Sequence, residues 1–177
     1  AEWPAPLTDD ELARLGATSD LVTLVTAKFE MIRAVRNVRG TYLIPPAKKV
    51  AVVVAPSAEE TTRFLSADLL SLKSLLYASE VTIDPDYEAV GPTGVALGQL
   101  GTAYIPLADV IDVSAERERL EKQQSEALGF IDKAQRKLDN EGFVSRAPAD
   151  VVQRERDRLL ELRDKLSRIG EQLTALQ

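Results

Sequence analysis

The last third of the chain carries two apolar seams, and they constrain the fold more than anything else in the sequence. Leu120, Gln124, Ala127, Ile131, Ala134 and Leu138 are spaced 4, 3, 4, 3, 4. Val152, Glu155, Leu159, Leu162, Leu166, Ile169, Leu173 and Leu176 are spaced 3, 4, 3, 4, 3, 4, 3. Both are heptad patterns, which turn one side of an α-helix toward a partner helix. Between them, Asn140-Glu141-Gly142 is expected to supply a left-handed C-cap, Pro148 to occupy the first turn of the next helix, and Asp150 to favour that helix's N-terminal dipole. The connection leaves room only for antiparallel neighbours, so the stretch from Ser114 to Gln177 reads as a helical hairpin. About 26 residues per helix at 1.5 Å each gives an arm on the order of 40 Å long. Such an arm has no interior in which to enclose a substrate. Gln124 and Glu155 interrupt the seam where apolar residues pack best, and they either set the register of the pair or mark where the hairpin rests on the rest of the chain.

The residues before the hairpin follow other patterns. Thr8 and Glu11 have the spacing of a capping box, opening a short helix that stops near Gly16. A second helix starts beside Ser19-Asp20. Leu21, Leu24, Val25, Phe29, Ile32 and Val35 recur every three or four residues as a buried stripe, with Lys28, Arg33, Asn37 and Arg39 away from it. Pro45-Pro46 forces the chain out of helix. Val50 to Val54 reads as a buried strand. Ser57 with Glu60 suggests another capping box, opening two short helices broken near Ser66, and Val81-Thr82-Ile83 reads as a second strand. Gly91, Gly94, Gly98 and Gly101 punctuate two further apolar runs, Val95 to Leu100 and Thr102 to Leu107, which suggests a hairpin of strands. A glycine-rich phosphate cradle is disfavoured because neither Lys-Ser/Thr nor a helix follows the glycines. The expected class is α+β: a helical segment over 1–46, a small mixed α/β unit with a mostly antiparallel sheet over 47–112, and an antiparallel coiled-coil hairpin over 113–177.

Composition narrows the functional classes. A chain of 177 residues with 45% hydrophobic content supports one compact domain plus an appendage. The absence of Cys excludes disulfides and thiolate metal sites, and with it any sign of an oxidising compartment; a cytoplasmic location is expected. No apolar run approaches the roughly 18 residues of a spanning helix. Ala1-Glu2-Trp3-Pro4 offers neither an initiator Met nor a signal stretch, so the chain reads as a piece of a longer one. Without His or Cys there is little to serve as base or nucleophile, and Asp84/Asp86 and Glu59/Glu60 sit in a turn and a helix start. No metal-ligand spacing is visible. The net charge of −6 argues against nucleic acid only on average. Residues 1–114 hold 9 basic against 15 acidic residues, whereas 115–177 hold 13 of each, so most of the cations lie on the hairpin.

Particular strings carry a family resemblance. Met31-Ile32-Arg33-Ala34-Val35-Arg36-Asn37-Val38-Arg39 followed by Ile44-Pro45-Pro46-Ala47-Lys48-Lys49 resembles the helix and Pro-Pro turn after the anticodon-binding bundle of valyl-tRNA synthetases. Ile105-Pro106-Leu107 and Ile111-Asp112-Val113 resemble their entry into a C-terminal coiled coil. Leu120-Glu121-Lys122, and above all Lys137-Leu138-Asp139-Asn140-Glu141-Gly142-Phe143-Val144 through Ala147-Pro148 to Val151-Val152, is similar to the family's hairpin tip. Trp3-Pro4 suits the junction just upstream. The family's adenylate-site signatures, His-Ile-Gly-His and Lys-Met-Ser-Lys-Ser, are missing, and so is its editing domain.

The resemblance implies a tRNA-binding end without a catalytic centre or cofactor of its own. ATP use and valine attachment would fall to catalytic and editing domains elsewhere in the same polypeptide, and the chain would be a monomer without membrane association. The family's arm leans on the outer corner of tRNA, where Lys and Arg on an extended helix meet phosphates and an occasional planar side chain meets a base. Candidate contacts are Lys133, Arg136, Lys137, Arg146 and Arg154 around the tip, with Phe143 within it. The bland alternative is a solvated helix laced with pairs such as Glu118–Lys122 and Asp132–Arg136, with Phe143 packing against Val151 or Val152. Arg33, Arg36 and Arg39 form a second candidate set, which either touches tRNA backbone or pairs with Glu30 and carboxylates of the α/β unit. A different class of function, a protein-interaction or chaperone-like module whose coiled coil pairs with a second chain, fits the heptads as well.

Overall fold

A computed structural model describes residues 6–177; the Trp3-Pro4 junction lies outside them. The chain divides into two compact units, residues 6–90 with 94–106, and residues 91–93 with 107–177.

The first unit opens with α1 (Asp9–Arg14), capped as its sequence predicts. The Thr8 N–H donates to Glu11 Oε2 at 2.8 Å, and that bond, with one from the Thr8 hydroxyl, holds the Glu11 carboxyl below its ordinary range. Gly16 then takes a positive φ. Helix α2 (Ser19–Thr41) is N-capped by Thr18 and buries Ile32 and Val35 of the expected stripe, but beside them Ala27, Lys28, Met31 and Arg39. Leu21 and Phe29 are instead 39% and 52% exposed. Lys28 and Arg39 can lie inward because their aliphatic stems pack while their heads find partners. Lys28 Nζ reaches Asp68 at 2.6 Å, a hydrogen bond that draws the Asp68 carboxyl below its usual pKa.

Strand β1 (Val50–Pro56) leads into α3 (Glu59–Ala67), α4 (Leu69–Leu76) and β2 (Ala78–Ile83). The start of α3 differs from the expected Ser57/Glu60 box. Ala58 is the cap residue, its N–H donates to the Thr61 hydroxyl at 3.1 Å, and that hydroxyl donates back to the Ala58 carbonyl at 2.7 Å. Asp68 ends α3 and begins α4. Strands β3 (Thr93–Gly98) and β4 (Gly101–Pro106) follow, joined by a two-residue turn.

The sheet order is β2-β1-β4-β3. β1 runs antiparallel to β4, with Val53 opposite Tyr104 and Pro56 opposite Gly101, but parallel to β2, with Val52 opposite Val81. The sheet is therefore mixed, because the two helices between β1 and β2 provide the long crossover that parallel neighbours need. Val50, Val52, Val54, Ala103 and Ile105 bury alternate positions, joined in the core by Met31, Val35, Leu65, Leu72 and Leu76. Gly94 and Gly98 serve close packing. A Cβ at Gly94 would stand 2.6 Å from Val38 of α2, and one at Gly98 would touch Met31.

The second unit is the hairpin. Helix α5 (Val113–Asp139, 27 residues) is capped by Asp112, which accepts from the Ala115 N–H at 3.0 Å, and α7 (Ala149–Thr174, 26 residues) returns beside it. Both match the expected length. Leu120, Ala127 and Ala134 on one helix, and Val152, Leu159 and Ile169 on the other, are buried. The tip departs from expectation. No left-handed residue stops α5; Asn140 is extended at φ −80 and ψ 102, and its side chain caps a further helix, α6 (Glu141–Arg146), which contains Gly142. Pro148 stands one residue earlier than expected, as the N-cap of α7. At the other end the Arg117 guanidinium donates to the Leu176 carbonyl at 2.6 Å, and the Thr93 N–H to the Ala175 carbonyl at 3.0 Å.

Candidate nucleic-acid interface

The tip of the hairpin is organised around Lys137. From α5 its Nζ reaches Glu155 Oε2 on α7 at 2.8 Å and lies 4.8 Å from the centroid of the Phe143 ring on α6. One ammonium group thus ties three helices together. The Glu155 side chain is only 12% exposed, so the interruption of the seam is an ion pair across the hairpin, which fits only one register. Phe143 accordingly works in a cation–π contact within the tip. A second cross-helix bond runs from the Arg163 guanidinium to Gln135 Oε1 at 3.0 Å.

We expect Lys137→Glu to destabilise the hairpin by about 1–2 kcal/mol, between the values for exposed and buried pairs, because it sets two carboxylates together. Adding Glu155→Lys should restore most of the loss. Thermal melting followed by helical circular dichroism checks this, and a double variant as unstable as the single would deny the pair any role in register.

The other tip cations are held more loosely. Arg136 pairs with Asp132 and Arg154 with Asp150, each at 3.0 Å along its own helix, and the arginine side chains stay 79% and 78% exposed. Such pairs contribute about 0.3–0.5 kcal/mol, so a phosphate can take over either guanidinium at little cost. Lys133 is exposed, its Nζ 5.8 Å from the Phe130 ring. Arg146 is exposed at the end of α6 and forms no ion pair among the described residues. Four of the five cations can therefore be offered to an anion, while Lys137 is committed to the tip.

The base of α5 contains another ion pair. Glu116 is buried and receives a fork of two bonds from Arg119, with Nε at 2.7 Å from Oε2, which keeps Arg119 more firmly protonated than usual.

The arginines of α2 occupy three different environments. Arg39 is buried and donates to the carbonyls of Lys48 at 2.7 Å and Pro45 at 3.3 Å, fixing the Pro-Pro turn. Arg36 donates to the Leu75 carbonyl at 2.9 Å. Arg33 is exposed. The acceptors of Arg36 and Arg39 are backbone carbonyls rather than carboxylates, and the three guanidinium groups do not make one surface. Among the described residues no group of three or more His, Cys, Asp or Glu is placed to hold a metal ion, and no helix is long and apolar enough to cross a membrane.

Comparison with known proteins bears on both units. Residues 112–177 match the family described as valyl tRNA synthetase tRNA binding arm. The chain is 35% identical to a valine–tRNA ligase of Carboxydothermus hydrogenoformans over 161 residues, 90% of this chain and 17% of that protein. It is 33% identical to one of Clostridium perfringens over 178 residues, 100% of this chain and 19% of the relative. A third, from Mesorhizobium japonicum, is 31% identical over 178 residues, covering 100% and 18%. The chain spans less than a fifth of the length of these relatives.

Proposed function

We propose, from the premise that this chain belongs to the valine–tRNA ligase family and carries its tRNA-binding arm at residues 112–177, that it is the C-terminal tRNA-binding part of such an enzyme and acts by charge rather than by chemistry. The observation that carries this reading is the solvent-facing set Lys133, Arg136, Arg146 and Arg154 around the hairpin tip, unpaired or held only by exposed neighbours on the same helix. These cations would rest on phosphates at the outer corner of tRNA, a contact that fixes position without reading sequence. Activation of valine with ATP, and editing, would belong to the remainder of the polypeptide, so this part would need no cofactor. Leu21, Val22 and Phe29 leave an apolar face on α2, which that remainder would cover. We place the protein in the cytoplasm as a monomer.

Pairing of the coiled coil with a second chain is less favoured, since α5 and α7 already pair with each other within one hairpin and bury Leu120, Ala127, Ala134, Val152, Leu159 and Ile169 there. The test is a gel shift of the 177-residue chain with valine tRNA and an unrelated tRNA at two salt concentrations. Both should shift, and the affinity should fall steeply with salt. Lack of binding to either at low salt would remove this function.

A further inference from the structure

The α/β unit has a feature that its folding does not require. Tyr77 ends α4 in the left-handed region, at φ 53 and ψ 46, where glycine is the usual residue and a bulky side chain is strained. Its N–H closes the helix onto the carbonyls of Lys73 and Ser74, a bond that glycine would make equally well. The residue is 44% exposed, so burial does not account for it. It helps line an open concavity of about 290 Å³ together with Lys49, Leu70, Lys73, Ser74 and Ala78. Lys49 Nζ lies 5.6 Å from the ring centroid.

No acidic residue lines this concavity, and neither Lys49 nor Lys73 forms an ion pair among the described residues, although the unit is acidic overall. Nor are the lysines needed to satisfy the end of α4. The Lys73 and Ser74 carbonyls are taken by Tyr77 and the Leu75 carbonyl by Arg36. Two ammonium groups without a carboxylate partner, one of them against the Tyr77 ring and the other lining the same concavity, present the chemistry that single-stranded nucleic acid uses, a stacking platform flanked by cations for the backbone. An acidic peptide would use the ammonium groups but has no need of the ring.

We propose that Lys49, Lys73 and Tyr77 form a second RNA contact, one that takes an unpaired nucleotide, its base against the Tyr77 ring and its flanking phosphates at the two ammonium groups. The inference rests on the reading of the chain as a tRNA-binding part, but it concerns the unit outside the arm.

The probe is a labelled ten-residue oligouridine, followed by fluorescence anisotropy with the 177-residue chain. The chain would carry Lys133, Arg136, Arg146 and Arg154 changed to Glu, so that the arm does not contribute. Tyr77→Gly should weaken binding roughly tenfold by removing the stacking surface, while the melting temperature stays level or rises as backbone strain is relieved. Tyr77→Phe should bind as the parent does. Changing Lys49 and Lys73 together to Glu should weaken binding and lower the slope of log affinity against log salt by roughly 1 to 1.5. The proposal is overturned if the parent does not bind the oligomer. It is equally overturned if Tyr77→Gly binds as well as the parent, or if an oligoglutamate competes as well as unlabelled oligouridine. Failure of the arm reading is scored separately, by whether the four arm changes themselves weaken binding to whole tRNA.

Discussion

Replacing Gly101 by valine should unfold the α/β unit at temperatures where the parent chain is stable. Gly101 lies at φ 133, a region closed to side chains, and an added Cβ would collide with the Ala55 carbonyl and stand 2.7 Å from Pro56 Cα. Those atoms belong to β1, and Pro56 opposite Gly101 is the end pair of the ladder between β1 and β4, the two central strands, so the clash opens that ladder from its end. Leu100, buried beside it, and the bond from the Ser57 N–H to the Leu100 carbonyl at 3.0 Å would be displaced as well. The combined loss should reach about 4 kcal/mol or more, comparable with the whole stability of many domains. Gly91→Ala is the control. It has a positive φ of 69 but open space around it, and should cost only about 1–2 kcal/mol. Urea unfolding measured by circular dichroism separates the two by their midpoints. A valine variant unfolding at the same urea concentration as the parent would contradict the β1–β4 pairing.

Reversing Lys133, Arg136, Arg146 and Arg154 together to Glu should lower tRNA affinity roughly a hundredfold or more at low salt. The salt dependence should flatten by about one counterion for each phosphate that the arm no longer neutralises. Lys137 is left alone because its bond to Glu155 holds the tip together, and its loss would confuse binding with folding. The reversals break the exposed pairs Arg136–Asp132 and Arg154–Asp150, which amounts to a few tenths of a kcal/mol each, so helical content should survive. Because phosphates carry no sequence information, valine tRNA and an unrelated tRNA should lose affinity to the same degree. Unchanged affinity at low salt would reduce the four residues to a solvated surface. A loss confined to valine tRNA would instead make them readers of bases.

The hairpin is legible in the sequence because a heptad repeat states both the element and the face it buries. Its tip is not, since Asn140 and Gly142 each suit a helix stop, and only the geometry of the tip makes Asn140 the cap of a further short helix. The first two strands can be read from their β-branched runs, the last two from glycine-punctuated apolar runs, and the two crossover helices between β1 and β2 from their spacing, but the order β2-β1-β4-β3 in which the strands lie side by side is not stated by local pattern. The stripe of α2 misleads for a physical reason. Lys28 and Arg39 count as polar, yet they bury their stems beneath heads bound to Asp68 and to two carbonyls, while the apolar Leu21 and Phe29 remain uncovered. The candidate cations can be named from composition and position. Their division into available and committed groups cannot, because the bond from Lys137 spans eighteen residues of sequence.

The self-contained tip leaves the length of the hairpin free to vary. Asn140 caps α6 from within, and Lys137, Phe143 and Glu155 lock the turn, while separate bonds from Arg117 and Thr93 fasten the opposite end. Between these two clasps the helices are joined by a repeating seam and by the exposed bond from Arg163 to Gln135. Seven residues added to each would preserve the phase of that seam and carry the tip roughly 10 Å further along the hairpin axis. Evolution can therefore adjust the reach of this arm like a ruler, in whole-heptad increments, without redesigning either end.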